Sequence, residues 1–116
     1  MSLFRRSKVD EQNPASLLEA SIADHSNSTR ISFLEPRELV EIVGQIEHVC
    51  TRIVDGAPTF EIEVSDGTGS VVALWTGRKS LACVERGRRI ALWGRAAPMR
   101  RELALVVYNP RYELLP

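Results

Sequence analysis

Hydrophobic and polar positions alternate most regularly between Pro58 and Gly77. Phe60, Ile62 and Val64 interleave with Thr59, Glu61, Glu63 and Ser65. A period of two predicts a strand with one buried face. Asp66-Gly67-Thr68-Gly69 follows. Its glycines tolerate positive φ, and its aspartate can hydrogen-bond the backbone just ahead, so a turn is expected. A second β-rich run from Val71 to Thr76 completes a hairpin. Val71, Ala73 and Trp75 share one parity, which leaves Trp75 either in the core or on show at the hairpin's end.

The same pattern divides the rest of the chain. Residues 1–13 are polar and charged without a period, which predicts a disordered N-terminus. Residues 14–36 read as a short helix and an extended lead-in. Asn13 can cap the helix, Pro14 suits its first position, and Leu17, Leu18 and Ile22 form an apolar stripe. That helix is expected to cover an opening of the core. Arg37 to Ile53 predicts a long strand with apolar residues on both parities. Gly44 in its middle is the expected pivot, since glycine inside a strand marks a bulge or a sharp bend. Leu81 to Val84 suggests one helical turn. Ile90 to Arg95 is a fourth strand, with Ile90, Leu92 and Gly94 on one face and Ala91, Trp93 and Arg95 on the other. Ala96 to Glu102 is a loop, Leu103 to Tyr108 a fifth strand, and Arg111 to Leu115 an extended tail after Asn109-Pro110. Five short strands with mid-strand glycines and no long internal helix predict an all-β chain closed into a small barrel, because closure removes exposed edges.

Several of these segments also carry a resemblance. Val-Gly-Gln-Ile at 43–46, Phe-x-Ile-x-Val-Ser-Asp-Gly-Thr-Gly at 60–69, Val-x-Ala-x-Trp at 71–75 and Gly-Arg-Arg-Ile-Ala-Leu-Trp-Gly-Arg at 87–95 resemble the OB-fold of the anticodon-binding and RecG-wedge type. Tyr-Asn-Pro-Arg-Tyr-Glu-Leu at 108–114 resembles the end of small stand-alone bacterial proteins of that superfamily. The resemblance implies a five-stranded OB-fold barrel over 37–116, preceded by the short N-terminal helix, and a nucleic-acid ligand. The chain departs from the usual pattern between strands three and four, where many OB-folds carry a longer helix.

Composition narrows the function. The chain has 116 residues, 44% hydrophobic, enough for one domain with a stable core. No apolar run is long enough for a membrane span. The N-terminal cations lack a following apolar segment, which argues for a cytoplasmic protein. Cys50 and Cys83 form no CxxC pair and are expected to be small buried hydrophobes. His48 and Cys50 would share a strand face, but two further zinc ligands are missing. Gly77-Arg78-Lys79-Ser80 fails the phosphate-loop pattern, because Arg78 replaces its second glycine. No metal, cofactor or catalytic constellation is expected.

Fifteen Lys and Arg balance fifteen Asp and Glu. Eight cations nevertheless fall between Arg78 and Arg101, opposed only by Glu85. OB-folds bind strands across the face of strands two and three, flanked by the first-to-second and fourth-to-fifth loops. Arg52, Arg78, Lys79, Arg95, Arg100 and Arg101 are therefore the expected phosphate contacts, and Trp75, Trp93 and Tyr108 the candidate stacking platforms. Glu61 and Glu63, on the outward parity of strand two, oppose a phosphate there. Two readings follow: a non-catalytic module for single-stranded DNA or RNA, or a protein-interaction module that docks a partner on its acidic face.

Overall fold

The computed structural model describes residues 17, 18, 22, 27–98 and 105–116. Six strands make one sheet: β1 Leu39–Val54, β2 Ala57–Ser65, β3 Ser70–Thr76, β4 Arg89–Pro98, β5 Leu105–Tyr108 and β6 Arg111–Leu115. The order is β1-β2-β3-β5-β4-β6, and β1 also pairs with β4. That extra pairing closes the barrel. β3 and β5 run parallel, while the other neighbours are antiparallel. This is the expected five-stranded OB-fold barrel, with its fifth strand built in two pieces. β5 pairs with Ala96–Pro98 and β6 with Arg89–Trp93, so both lie along β4.

The predicted tail is thus the strand β6. Asn109-Pro110 breaks the ladder between β5 and β6 but does not end it. Asn109 takes φ of 50°, donates its N–H to the Leu74 carbonyl at 2.6 Å and accepts the Thr76 N–H at 3.0 Å. The Pro110 carbonyl accepts the Trp75 indole N–H at 3.0 Å.

β1 serves two neighbours. Leu39–Gln45 pairs with β4, and Gln45–Val54 pairs with β2. Gly44 sits at the handover. A Cβ there would lie 2.5 Å from Val64 Cγ1 and 2.7 Å from the Ser65 carbonyl oxygen, so the bend brings β1 against β2 where only glycine fits. The change of face comes slightly later. The register slips between Ile46 and His48, a bulge that leaves one residue unpaired. Ile42 and Ile46 point into the core, whereas His48 stands opposite the outward Glu63. Gly94 plays a similar part on β4, where a Cβ would meet Val107 Cγ1 at 2.7 Å.

The core holds Val40, Ile42, Ile46, Phe60, Ile62, Val64, Val71, Ala73, Ile90, Leu92 and Val107. Two further residues close it from outside the strands. Val84 enters from the β3–β4 connection, and Ile31 from the lead-in. The lead-in was expected to be extended, but Ile31–Phe33 is a 3-10 turn. It is clasped by the β2–β3 turn. Asp66, only 2% exposed, accepts the Ile31 N–H at 2.8 Å and the Thr68 N–H and hydroxyl at 2.8 and 2.5 Å.

Three other expectations change. Leu81–Val84 is a hydrogen-bonded turn and not a helix, because Cys83 takes φ of 62°. Both cysteines are exposed and free: Cys50 lies on the outer face beyond the bulge, and Cys83 on that turn. Leu17, Leu18 and Ile22 are helical as predicted, and the rest of that helix lies outside the described residues. Leu18 and Ile22 do not cover a barrel opening. They pack outside the wall, with Val43, Ala91, Trp93 and Leu115. The predicted disorder of 1–13 also falls outside the described residues.

Candidate nucleic-acid interface

Beyond its bulge, β1 presents His48, Cys50 and Arg52 on the outer face. The register then sets two rows across neighbouring strands. One runs His48, Glu63, Val72, Val106; the other runs Cys50, Glu61, Leu74, Tyr108. Adjacent strands lie about 4.8 Å apart, so the side chains of each row lie next to one another, although Val106 at the end of the first row is buried. Tyr108 is 55% exposed, and Val72 and Leu74 are half-buried. The second row therefore begins with an open ring, continues over an aliphatic side chain and ends at polar groups.

The carboxylates of this face are paired. Arg52 Nε donates to Glu61 Oε2 at 2.8 Å, and Cys50 Sγ lies 3.7 Å from the same oxygen. Hydrogen bonding with Cys50 and the charge of Glu61 hold the Arg52 guanidinium above its ordinary pKa. His48 Nε2 is 3.8 Å from Glu63 Oε1, an ion pair when the imidazole is protonated. An open concavity of about 160 Å³ lies among these groups, lined by His48, Cys50, Arg52, Glu61, Glu63 and Val72 among others. The cross-strand Arg52–Glu61 pair was legible in principle. Asp55-Gly56, with φ of 51° and 80°, is a two-residue hairpin turn of the kind that fixes register. That register puts Arg52 diagonally across from Glu61.

The structure divides the predicted site residues. Trp75 is a core residue, 7% exposed. It packs against Phe60 and Tyr112 at centroid distances of 6.1 and 5.6 Å, and Pro110 holds its indole N–H, so it offers no ring for stacking. Trp93 and Arg95 are on another wall, formed by the first half of β1 with β4 and β6. There Trp93 donates its indole N–H to Glu41 Oε1, Arg111 lies over its ring at 4.5 Å, and Leu18 and Ile22 pack alongside. Arg95 donates to the Arg37 carbonyl at 2.6 Å. Arg78 and Lys79 are exposed in the connection after β3. The Lys79 carbonyl accepts the Thr51 hydroxyl at 2.6 Å, which puts that connection on the opposite side of the β1–β2 hairpin from Arg52. Arg100 and Arg101 lie outside the described residues. The single groove expected from six cations is thus split, with Arg52 alone among the described ones facing the Tyr108 row. Among the described residues no group of three His, Cys, Asp or Glu could hold a metal ion.

No family model matches this chain, and no curated protein matches it. Solved structures do. The chain is similar to part of RecG bound to a three-way DNA junction, with a TM-score of 0.62 and 20% identity over 76% of this chain and 12% of that one. It is similar to the OB domain of Ta0387 from Thermoplasma acidophilum, with a TM-score of 0.58 and 17% identity over 75% and 85% of the two chains. It is also similar to the Ifi202 HINa domain in complex with 20bp dsDNA, with a TM-score of 0.55 and 12% identity over 80% of this chain and 49% of that one. At these identities the likeness establishes the fold, and the fold is the OB-fold.

Proposed function

We propose that this OB domain is a non-catalytic, cytoplasmic nucleic-acid-binding module that holds a single strand across the β2–β3 face. One observation carries the reading: Tyr108 stands open at one end of a row that continues through Leu74 to the Glu61–Arg52 pair. An exposed ring beside aliphatic surface suits an unstacked base, whose flat face any sequence provides. Two kinds of support come from elsewhere. The β2–β3 face is where OB-folds bind oligonucleotides, and two of the similar structures are described as DNA complexes. The pairing of Glu61 with Arg52 also blunts the repulsion that carboxylate would otherwise exert on a phosphate. Arg100-Arg101, which stand between β4 and β5 in the sequence, would add backbone contacts.

Fluorescence anisotropy with short single-stranded DNA and RNA tests this. Tyr108→Ala should weaken binding by about 1–3 kcal/mol on either strand. Arg100→Glu with Arg101→Glu should weaken it further and flatten its salt dependence. Failure to bind at low salt, or full affinity in Tyr108→Ala, would sink the proposal. The second reading, a docking module for a protein, draws on the β1–β2 hairpin, where Val49, Ile53 and Val54 are exposed. It predicts nucleic-acid binding that is weak and indifferent to salt.

A further inference from the structure

The concavity among His48, Cys50, Arg52, Glu61, Glu63 and Val72 is not explained by a general stacking surface. Its volume is about 160 Å³, and because it is open on one side it can take the hydrogen-bonding edge of a base while the rest of the ring stays outside. We propose that it is a pocket for a single base next to the one stacked on Tyr108, and that it selects guanine. This rests on the binding function proposed above, and it names what that site reads.

The argument is one of donors and acceptors. Phosphate contacts position a strand, whereas contacts to base edges specify it. In single strands the Watson–Crick edge is open to such contacts. The groups a base meets on passing from Val72 and Leu74 toward β1 are the carboxylates of Glu61 and Glu63, because β2 lies between β3 and β1. An ionised carboxylate only accepts hydrogen bonds. Guanine offers two adjacent donors on that edge, N1–H and the N2 amino group. Adenine, cytosine and thymine each offer one donor group there, next to an acceptor that a carboxylate repels. Behind Glu61 stands Arg52, bonded through Nε to Oε2. Its remaining N–H groups are donors suited to guanine O6. Arg52 thus orients Glu61, and the pair presents a donor beside acceptors, as guanine requires. The carboxylates that oppose a backbone on this face become the groups that read a base.

The test uses thymidine 12-mers with one central position changed to guanine, inosine, adenine or cytosine, and anisotropy at constant salt. One guanine should tighten binding about tenfold over the all-thymidine strand, as expected for one bidentate base contact. Inosine, which lacks the N2 amino group, should lose most of that gain. In Glu61→Gln, and separately in Glu63→Gln, the ratio of guanine to thymidine affinity should fall toward one. This ratio is internal to each variant and does not depend on overall affinity. If all strands bind alike, or cytosine is preferred, the base-reading pocket is wrong while the binding function stands. If no strand binds at low salt, both fall together.

Discussion

The carboxylate of Asp66 joins two distant parts of the chain. It holds the Thr68 end of its own turn and the backbone N–H of Ile31, whose side chain lies in the core. Asp66→Ala leaves the Ile31 N–H without its buried acceptor, at a cost of about 1–3 kcal/mol. A urea midpoint unchanged by that substitution would contradict the role given to the clasp. Sequence and structure part company most at this scale. Asp66 was legible as a turn residue because Asx turns are local. Its grip on Ile31 was not, because it spans 35 residues and depends on where the lead-in returns. The parity of β3 left Trp75 open between core and surface, and the structure puts it inside. Tyr108 ends its strand as an open ring. Cys50 was misread as buried because the bulge after Ile46 reverses which parity faces out, and nothing in the residues around Glu47 announces a bulge.

At the scale of elements, the helical residues Leu18 and Ile22 cover the outer wall of β1, β4 and β6. A chain lacking residues 1–26 should therefore keep its closed barrel but expose Val43, Ala91, Trp93 and Leu115. Its tryptophan emission should shift to the red, its binding of an apolar dye should rise, and its Tm should fall. Unaltered emission and dye binding would mean that the helix covers nothing. The strands themselves were easy to read, since a half-buried strand writes its period directly into the sequence. β6 was the exception. Asn109-Pro110 looks like a terminator because proline removes a ladder donor. Here the break is used instead, with Pro110 accepting the Trp75 indole N–H and Asn109 bonding to β3.

At the scale of the whole molecule, barrel closure sorts the charges. Arg52 lies on β1 and Arg95 on β4, which pairs with β1, yet they face different directions, because β1 passes from β4 to β2 at Gly44 and then reverses its faces at the bulge. Proximity along the chain does not reveal that separation, so the cation cluster read as one groove. The same double pairing has a consequence in time. The β1–β2 half is a local hairpin across the Asp55-Gly56 turn, whereas the β1–β4 half joins segments far apart in sequence. Loop-closure entropy favours the local half first and leaves the distant half to zip later. Gly56→Ala, strained at φ of 80°, should then slow refolding in stopped-flow experiments. Val40→Ala, in the half that meets β4, should chiefly speed unfolding. The reverse pattern would mean that closure leads. On the expected order, Gly44 marks the boundary on β1 between what assembles early and what shuts the barrel last.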